Sequence, residues 1–355
     1  MRPRPRRLLA ALFACGLSLS AQESWRHEEV GLGVTLRTRH FAELHGARQF
    51  VAVLEIDPQA TPRPRLRLAR GEGRVPTSTL GQGSPAIAGV NGGFFNMQNG
   101  EPAGLLRIDG KTLRDDPGAR YALLGIDRQE AVTILDPGRP APAKLPHALA
   151  AGPLLVRDGK VAISTGFEKI AGRNPRTALG LTNRGKILLI TVDGRLPEAA
   201  GMSFDELART LLDLGCAQAM NLDGGGSTTL WVRGKPDRGV VNHPCDDKRF
   251  DAAGERAVSN AVLVEAADVV LDESAADGWQ LPAQFAGTYE LFGRWDQVPE
   301  QVRCRLGKAE VTLAPKGAPH TWIRLGTLDA AADLSLLVDV PPPCLALRLV
   351  QRSWR

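Results

Sequence analysis

The sequence predicts an α+β protein, with a mixed, mostly β domain carrying a few packed helices and a small C-terminal β-sandwich after it. Three observations support this prediction. Short apolar runs separated by turn residues recur from Val30 to about Ile163, a capped helical pattern begins at Ser203, and further strand-like runs follow a change of composition near Ala266. The length of 355 residues suits one large domain and one small one.

Composition indicates a folded chain of ordinary polarity. Hydrophobic residues make up 43% and charged residues 23%, while 38 Gly and 25 Pro predict many turns, so collagen-like and disordered classes are excluded. The formal charge of +5 includes four arginines before residue 8, and without them it falls to about +1. We therefore predict no nucleic-acid partner.

The N-terminus has the pattern of an export signal. Met1–Arg7 is basic, Leu8–Leu19 is apolar, and a small residue, Ala21, closes a plausible cleavage site. Residues 1–21 are therefore predicted to be a signal peptide, which makes the protein secreted or periplasmic, with no transmembrane segment in the mature chain. An uncleaved anchor and lipid attachment through Cys15 are the alternatives.

Short β-strands are predicted for the first part of the large domain, which we place at residues 22–267. The runs are Val34–Leu36, Phe50–Leu54, Ile87–Val90, Leu105–Ile108 and Ala131–Leu135. A hairpin follows, with strands at 177–181 and 186–192 joined by Asn183, Arg184 and Gly185. Within the second of these strands, Ile187–Ile190 is a continuous apolar run, which predicts a central position in the sheet.

One helix is clearly predicted after this hairpin. Ser203 and Glu206 have the spacing of a capping box, apolar residues recur at helical spacing from Phe204 to Leu214, and Gly215 provides a stop. Three more strands complete the domain, at Ala219–Leu222, Ser227–Val232 and Val262–Val264.

Small and acidic residues from Ala266 to Gly278 predict a linker, and the chain beyond it predicts a separate module. Its strand-like runs suggest a β-sandwich at 277–355 that could bind glycans. They are Gly287–Leu291, Gln301–Leu306, Trp322–Leu325, Leu334–Val338 and Leu345–Val350.

Four cysteines remain after removal of the predicted signal, and their spacing matches no zinc motif. A bridge between Cys304 and Cys344 is one possibility, because both lie in strand-like runs of the C-terminal region. Cys216 follows the apolar helix directly and is expected to be a buried thiol.

The most informative segment runs from Asn221 to Thr228. Three consecutive glycines after Asp223 leave one wall without side chains, so that a ligand could approach backbone N–H groups. No lysine follows the last glycine, which excludes a nucleotide P-loop. The alternative is a hairpin in which Asp223 forms the turn. The candidate residues of this segment are Asn221, Asp223, Gly224, Gly225, Gly226, Ser227 and Thr228.

A second candidate segment ends the strand that contains Val90. Asn91 could hydrogen-bond sugar hydroxyls, Gly92 and Gly93 leave space beside it, and Phe94 or Phe95 could form an apolar platform for a sugar ring. The alternative is that the phenylalanines belong to the core.

Charged residues near turns complete the candidate set. Arg176 and Arg195 suit contact with a phosphate, and Asp193 and Glu101 are carboxylates that could act on a glycosidic carbon. Surface charge beside a turn is the alternative for each of them.

Taken together, the segments 90–95, 176–180, 192–195 and 221–228 resemble, in this order, motifs of the phosphodiester glycosidase family. The resemblance spans roughly residues 85 to 264. Asn242 and Arg256 also fall where such domains carry similar residues. The last of the four motifs is the most specific.

The resemblance implies hydrolysis of the C1–O bond of a sugar-1-phosphodiester, N-acetylglucosamine-like, in a glycan, glycolipid or cell-envelope polymer. Phosphate would lie near Arg176, Arg195 and the glycine amides, and the sugar near Asn91. Asp223 and Asp193, with Glu101 behind them, would activate water or stabilise an oxocarbenium ion. No cofactor and no metal are predicted.

Two other classes of function stay open. A metal-dependent phosphodiesterase could use the same carboxylates to cleave a P–O bond, although no clustered metal-ligand spacing occurs in the sequence. A secreted glycan-binding protein without activity could use the glycine-rich loops only to hold its ligand.

If the signal is cleaved after Ala21, the exported protein begins at Gln22 or within a residue or two of it. Edman sequencing of the exported protein checks this. A lipid-modified Cys15 at the N-terminus would replace the soluble prediction with an anchored one, and an intact Met1 would contradict cleavage.

Overall fold

The structure is a computed structural model, and it describes most of the chain after the predicted signal peptide. The described residues are 24–60, 63–116, 121–266, 268–272, 287–295, 297–306, 309–317, 319, 323–330, 336–339 and 344–353. The predicted signal peptide lies outside them. No helix among the described residues combines the length and apolar character needed to cross a membrane.

Two helices and 17 strands form the described part of the chain up to Ala266. In chain order they are β1 (Arg26–Gly31), β2 (Val34–Leu44), β3 (Ala47–Ile56), β4 (Arg65–Pro76), α1 (Thr77–Gln82), β5 (Ala88–Asn91), β6 (Leu106–Ile108), β7 (Lys111–Arg114), β8 (Ala122–Ile126), β9 (Val132–Leu135), β10 (His147–Ala151), β11 (Leu154–Arg157), β12 (Lys160–Val161), β13 (Arg176–Thr182), β14 (Ile187–Val192), α2 (Phe204–Asp213), β15 (Cys216–Asn221), β16 (Leu230–Val232) and β17 (Ala257–Glu265). Short 3₁₀ turns occupy Glu168–Ile170, Gly225–Ser227 and Asp237–Gly239. The mostly β class predicted from the sequence is confirmed.

Seven more strands are described after Ala266. They are β18 (Asp268–Asp272), β19 (Gly287–Trp295), β20 (Val302–Leu306), β21 (Ala309–Leu313), β22 (Ile323–Ala330), β23 (Leu336–Asp339) and β24 (Cys344–Ser353). They form two antiparallel sheets, in the orders β18-β24-β19-β22 and β21-β20-β23. The strand-rich character of this region is confirmed, while its arrangement as a sandwich stays a prediction.

An eight-stranded antiparallel sheet is the largest element of the fold. Its order is β1-β2-β3-β14-β13-β15-β11-β12. The predicted hairpin forms β13 and β14, and every residue of β14 is buried because β3 and β13 flank it. Its central position is therefore confirmed, and the reason is the continuous apolar run Ile187–Ile190.

Two hydrophobic cores cover the two faces of this sheet. On one face, α2 packs through Phe204, Leu207 and Leu211. On the other face lie a four-stranded sheet, β16-β5-β17-β4, and a five-stranded sheet, β7-β6-β10-β8-β9. Because side chains alternate between the two faces of a strand, the strands of this sheet contribute residues to both cores.

Helix α2 begins as the sequence predicts. The Ser203 hydroxyl accepts a hydrogen bond from the Glu206 amide at 3.2 Å, and the Glu206 carboxylate accepts one from the Ser203 amide at 2.8 Å. Gly215, at φ +87°, provides the left-handed residue after the helix. The capping box therefore fixes where the helix starts against the sheet.

The structure differs from the sequence prediction at several places, which include residues 227–229, residues 268–272 and strand β4. Residues 227–229 do not extend a strand, because the chain makes a 3₁₀ turn at Gly225–Ser227 before β16 starts. Residues 268–272, inside the predicted linker, form β18, which pairs with β24. The long strand β4 was not predicted, since Gly71 and Gly73 interrupt its pattern.

The two cysteines whose side chains are described, Cys216 and Cys245, are free thiols. Cys216 is buried, as expected, and burial raises its pKa to about 12. Its sulfur lies against Gly180, where a Cβ would overlap it. Cys245 is buried as well. The predicted bridge between Cys304 and Cys344 concerns side chains outside those described.

Replacing Ser203 by alanine removes one half of the capping box, and we expect it to lower the free energy of unfolding by about 1 kcal/mol. Chemical denaturation measures this. Ser24→Ala, at an exposed position just before β1, is the matched control and should change little. Equal effects of the two substitutions would show that the cap does not stabilise α2.

Candidate active site

All four predicted motifs meet at one end of the eight-stranded sheet. Strand β14 ends at Val192, which pairs with Arg176 at the start of β13. Strand β15 ends at Asn221, and the Asp223 amide that follows donates to the carbonyl of Gly92, just after β5. The antiparallel order therefore brings segments separated by as many as 132 positions into contact at this end of the sheet.

Asn91 is fully buried and joins these segments through its side chain. Its Nδ2 donates to the Asp223 carbonyl at 2.6 Å. Its Oδ1 accepts from the Thr177 hydroxyl at 2.7 Å and from the Thr229 amide at 3.1 Å. The side chain of Asn91 is thus buried beneath the loop and hydrogen-bonded to protein groups, and it does not face an open surface.

The glycines at 92 and 93 allow the chain to pass close to β17 and β10. A Cβ at Gly92 would overlap the Asn260 side chain, and one at Gly93 would lie 2.7 Å from the Ala150 carbonyl oxygen. The Gly93 amide donates to Asn260 Oδ1 at 2.8 Å. These glycines therefore serve close packing at the base of the site.

Asp223 is the carboxyl group that stands at the centre of the site. Its Oδ1 accepts from the Gly224 amide at 3.0 Å. Burial raises its pKa to about 6, although the neighbouring Ser227 hydroxyl, the Gly224 amide and the Arg256 charge favour the ionised form. A carboxyl with this pKa can exchange a proton near neutral pH.

Each glycine of the triple-glycine loop (224–226) faces a different neighbour. A Cβ at Gly224 would lie 2.7 Å from the Pro175 carbonyl oxygen, and one at Gly225 would lie 3.2 Å from Arg195 Nη2. At Gly226 it would overlap the Asp246 carboxylate and the Arg256 guanidinium. The open wall that the sequence predicts is thus bordered by charged side chains.

Two cations flank the triple-glycine loop. Arg195 is exposed and donates from Nε and Nη2 to Asn174 Oδ1, at 3.1 and 2.8 Å. Arg256 donates to both oxygens of Asp246, at 2.7 and 2.6 Å. The buried Cys245 thiol lies beside Arg195, and burial raises its pKa. Arg195 thus places positive charge on one side of the loop, and the Arg256–Asp246 ion pair lies on the other side.

Arg176 is buried and binds main-chain oxygens. Its Nε donates to the Met202 carbonyl at 2.8 Å and its Nη2 to the Ile170 carbonyl at 2.7 Å, and the guanidinium packs 3.9 Å from the centre of the Phe204 ring. Burial lowers its pKa to about 10, and the positive charge of Arg195 adds to this effect. Two of the guanidinium nitrogens expected to bind a phosphate, Nε and Nη2, thus already donate to main-chain carbonyl groups.

Asp193 is fully buried and holds the segment at Asn242 and His243. Its Oδ1 accepts from Asn242 Nδ2 at 2.8 Å, and its Oδ2 accepts from the His243 amide at 2.9 Å and lies 2.7 Å from His243 Nδ1. Burial raises its pKa, while the hydrogen bonds from His243 and Asn242 oppose this shift. Asn242 also donates to the Thr228 carbonyl at 3.1 Å, which ties this segment to the loop.

An aromatic cluster lies beside the glycine pair at 92 and 93. The ring of Phe94 is 5.7 Å from Tyr121 and 6.2 Å from Phe167, and all three are partly buried. Phe95 is also partly buried and forms an isolated bridge with Pro102. Phe94 is therefore the better placed of the two to present an apolar surface.

Glu101 lies apart from the other predicted carboxylates. It pairs with Arg70 at 2.8 Å on the turn after Phe95, and its side chain is 46% exposed. Among the described residues it makes no recorded contact with Asp193 or Asp223. Asp223 and, through Asn242, Asp193 are tied to the triple-glycine loop, whereas Glu101 pairs with Arg70 on a separate turn.

Several buried polar atoms around the loop have no hydrogen-bond partner among the described residues. Asn221 Oδ1, Thr228 Oγ1 and Thr229 Oγ1 are among them. Asn221 Nδ2 donates to the Gly152 carbonyl at 2.8 Å. Such unsatisfied atoms are costly unless water or a ligand binds them.

Sequence reasoning missed three residues that build the site. His243 and Asp246 occur within a polar stretch whose spacing carries no signal, and Asn260 lies inside an apolar strand. An amide side chain within the mainly apolar strand β17 is the signal that could have indicated Asn260. In the described part of the chain no group of three or more His, Cys, Asp or Glu side chains is arranged to hold a metal ion.

Comparison with known proteins identifies the family of this chain. Residues 84–265, about half of the chain, match the profile of the phosphodiester glycosidase family. This range contains all the segments that meet at one end of the eight-stranded sheet.

Individual relatives match over a similar range. N-acetylglucosamine-1-phosphodiester alpha-N-acetylglucosaminidase is 31% identical in Mus musculus and 30% identical in Homo sapiens, over 196 residues and 49% of this chain. The match spans 36% of each of these relatives, about a third of their length. An uncharacterized protein derived from the SPbeta prophage of Bacillus subtilis is 32% identical over 152 residues, 39% of this chain and 23% of its own length.

A solved structure shares the fold. The catalytic domain of zebrafish N-acetylglucosamine-1-phosphodiester alpha-N-acetylglucosaminidase, auto-inhibited by a pro-peptide, superposes with a TM-score of 0.54 at 20% identity. The match covers 68% of this chain and 88% of that domain.

Gly226→Ala places a methyl group against the Asp246–Arg256 ion pair, and we expect it to lower the free energy of unfolding by about 1–3 kcal/mol. Denaturant titration measures the change. Gly172→Ala is the matched control, since a Cβ there meets no atom within 4 Å. A Gly226→Ala protein as stable as the control would show that the pair moves away freely.

Proposed function

This chain belongs to the phosphodiester glycosidase family, and we propose that it hydrolyses the C1–O bond of a sugar-1-phosphodiester whose sugar is N-acetylglucosamine-like. Family membership makes it a relative of hydrolases, and the names of its mammalian relatives supply the sugar class. The predicted export signal supports a substrate outside the cytoplasm, in a glycan, glycolipid or cell-envelope polymer.

One observation carries this proposal. Asp223, with a pKa raised to about 6, stands at the start of a loop that has Arg195 on one side and Arg256 on the other. This arrangement suits cleavage of a sugar–phosphate bond, because arginines can stabilise the negatively charged leaving group while the carboxyl acts at the sugar carbon.

We assign the phosphate to Arg195, to the Gly226 amide and to Nη1 of Arg256, because Asp246 already occupies Nε and Nη2 of Arg256. The Gly224 amide already donates to Asp223 at 3.0 Å, and the Gly225 amide to the Pro175 carbonyl at 2.9 Å. Arg176 contributes less to this assignment than expected, since carbonyl oxygens hold its Nε and Nη2. Its positive charge still adds to that of Arg195.

In the proposed reaction, a water oxygen bonds to C1 of the sugar while the C1–O bond breaks. The bonding electron pair leaves with the phosphate oxygen, where the two arginines stabilise it. The water proton passes to a carboxylate, for which Asp223 is the candidate, or to solvent. Asp223 alternatively faces the oxocarbenium-like carbon and stabilises its charge.

The bond that breaks separates this function from a phosphodiesterase. Hydrolysis of N-acetylglucosamine 1-(methyl phosphate) in ¹⁸O-labelled water should place the label in the sugar and yield unlabelled methyl phosphate. Mass spectrometry of both products reads this out. Label in the methyl phosphate would mean P–O cleavage, and no turnover of any sugar-1-phosphodiester would favour a binding protein.

Replacing Asp223 by asparagine keeps the size of the side chain and removes its charge, so we expect kcat to fall roughly a hundredfold or more. Steady-state kinetics on the same substrate measure this. Asp205→Asn, on the exposed face of α2, is the control and should keep wild-type kinetics. A near-normal kcat in Asp223→Asn would show that a group other than Asp223 has the catalytic role.

The pH profile tests the state of Asp223. If the ionised carboxylate is the active form, kcat/KM should be low when the carboxyl is protonated and should rise with pH through about 6. In Asp223→Asn this rise should disappear from the residual activity. A rise that persists in the variant would belong to a different residue.

A further inference from the structure

His243 is fixed by contacts on several sides of its ring. Its Nδ1 lies 2.7 Å from Asp193 Oδ2, its ring stacks on Phe250 with the centroids 3.6 Å apart, and the Phe50 ring meets it edge-on at 4.6 Å. Its backbone amide also donates to Asp193. An imidazole held in this way has little freedom to rotate.

Asp193 determines which ring nitrogen is available. Both of its oxygens accept hydrogen bonds from the 242–243 segment, so we assign the proton to His243 Nδ1. This leaves Nε2, which has no partner among the described residues. Because the Asp193 side chain has no exposed area, it can act on a ligand only through the residues that it holds, His243 and Asn242.

His243 borders a cavity of about 400 Å³ next to the loop. The cavity has an apolar part, formed by Val240, Val241, Phe250 and two alanines, and a polar part that contains Asp237 and Asp251. Its size is within the range of pockets for small ligands. The side chain of His243 is 22% exposed, so its edge can reach a bound molecule.

The charges of this cavity decide which chemistry it accepts. Two carboxylates in the lining repel a phosphate, which the arginines at the triple-glycine loop would bind instead. Carboxylates and an imidazole nitrogen bind hydroxyl groups well, while valine, alanine and phenylalanine cover the C–H surface of a ring. A neutral, hydroxyl-bearing group satisfies both parts of the lining.

The segment from 242 to 246 joins the cavity to the proposed phosphate site. Asn242 donates to the Thr228 carbonyl at 3.1 Å, at the end of the loop. Four residues later, Asp246 pairs with Arg256 against Gly226. A ligand in the cavity therefore lies beside the phosphate position rather than on a remote surface.

We propose that this cavity binds a neutral hydroxyl-bearing group of the phosphodiester, a pyranose ring or a polyol, with His243 Nε2 as its polar contact. Asp193 is the positioning residue that sets the orientation of His243. This inference rests on the proposed function for the identity of the whole substrate, but the pocket can be tested by binding alone.

The test uses the full-length protein with ¹⁵N-labelled histidine and NMR detection of the imidazole nitrogens. The probes are the methyl α-glycosides of N-acetylglucosamine, mannose and glucose, with glycerol and inorganic phosphate added separately. At least one neutral probe should shift the His243 signals in a saturable manner. Phosphate alone should shift them less than that neutral probe.

Variants separate contact from folding. His243→Gln should weaken binding of the responding probe about tenfold or more. The matched control is His40→Gln, because His40 stacks on Phe250 at 5.5 Å and does not line the cavity. In this variant the affinity for the responding probe, measured from the His243 signals, should change less than twofold. Asp193→Asn should alter the Nδ1 and Nε2 signals of the unliganded protein and weaken binding, while retained signals of other histidines report the fold. Isothermal titration calorimetry measures the affinity of His243→Gln directly.

Three results overturn the proposal: no neutral probe shifts His243, phosphate shifts it more than every neutral probe, or His40→Gln weakens binding as much as His243→Gln. The outcome is independent of turnover. If neutral probes bind but no phosphodiester is hydrolysed, the pocket stands and the proposed function fails. If hydrolysis occurs and no neutral probe shifts the His243 signals, the proposed function stands and the proposed pocket fails.

Discussion

The buried side chain of Asn91 is the interaction on which the rest of the site depends. Its amide accepts from Thr177 and Thr229 and donates to the Asp223 carbonyl, so one residue joins β5, β13 and both ends of the glycine loop. Buried hydrogen bonds of this kind are costly to lose, because the groups left behind have no water to replace the partner. The two sheets therefore meet in one relative position, and the position of Asp223 follows from it.

Local sequence patterns predicted what local physics determines. The hairpin of β13 and β14, the capping box of α2 and the buried Cys216 depend on neighbours in the chain, and they were predicted correctly. The grouping of Asp193 with His243, 50 positions away, and the occupation of Arg176 by carbonyl oxygens depend on the tertiary fold. A single sequence shows the type of each residue and not its partners, so those contacts could not be predicted from it.

The glycine loop shows this difference most clearly. In the sequence, three glycines without side chains indicate space for a ligand, and the hairpin alternative remains open. In the structure, the same space is bordered by an arginine on one side and an ion pair on the other. The electrostatic character of the site thus arises from residues 195, 246 and 256, which no local pattern connects to the loop.

The matching of each loop glycine to a separate neighbour limits how this motif can be transferred between proteins. Grafting residues 223–227 alone onto another scaffold would import the backbone without the carbonyl of Pro175, the guanidinium of Arg195 or the Asp246–Arg256 pair that fit against it. A library designed to change specificity here should vary the glycine positions together with these neighbours. A larger residue at 226, for example, calls for a shorter side chain at 246 or 256 in the same clone.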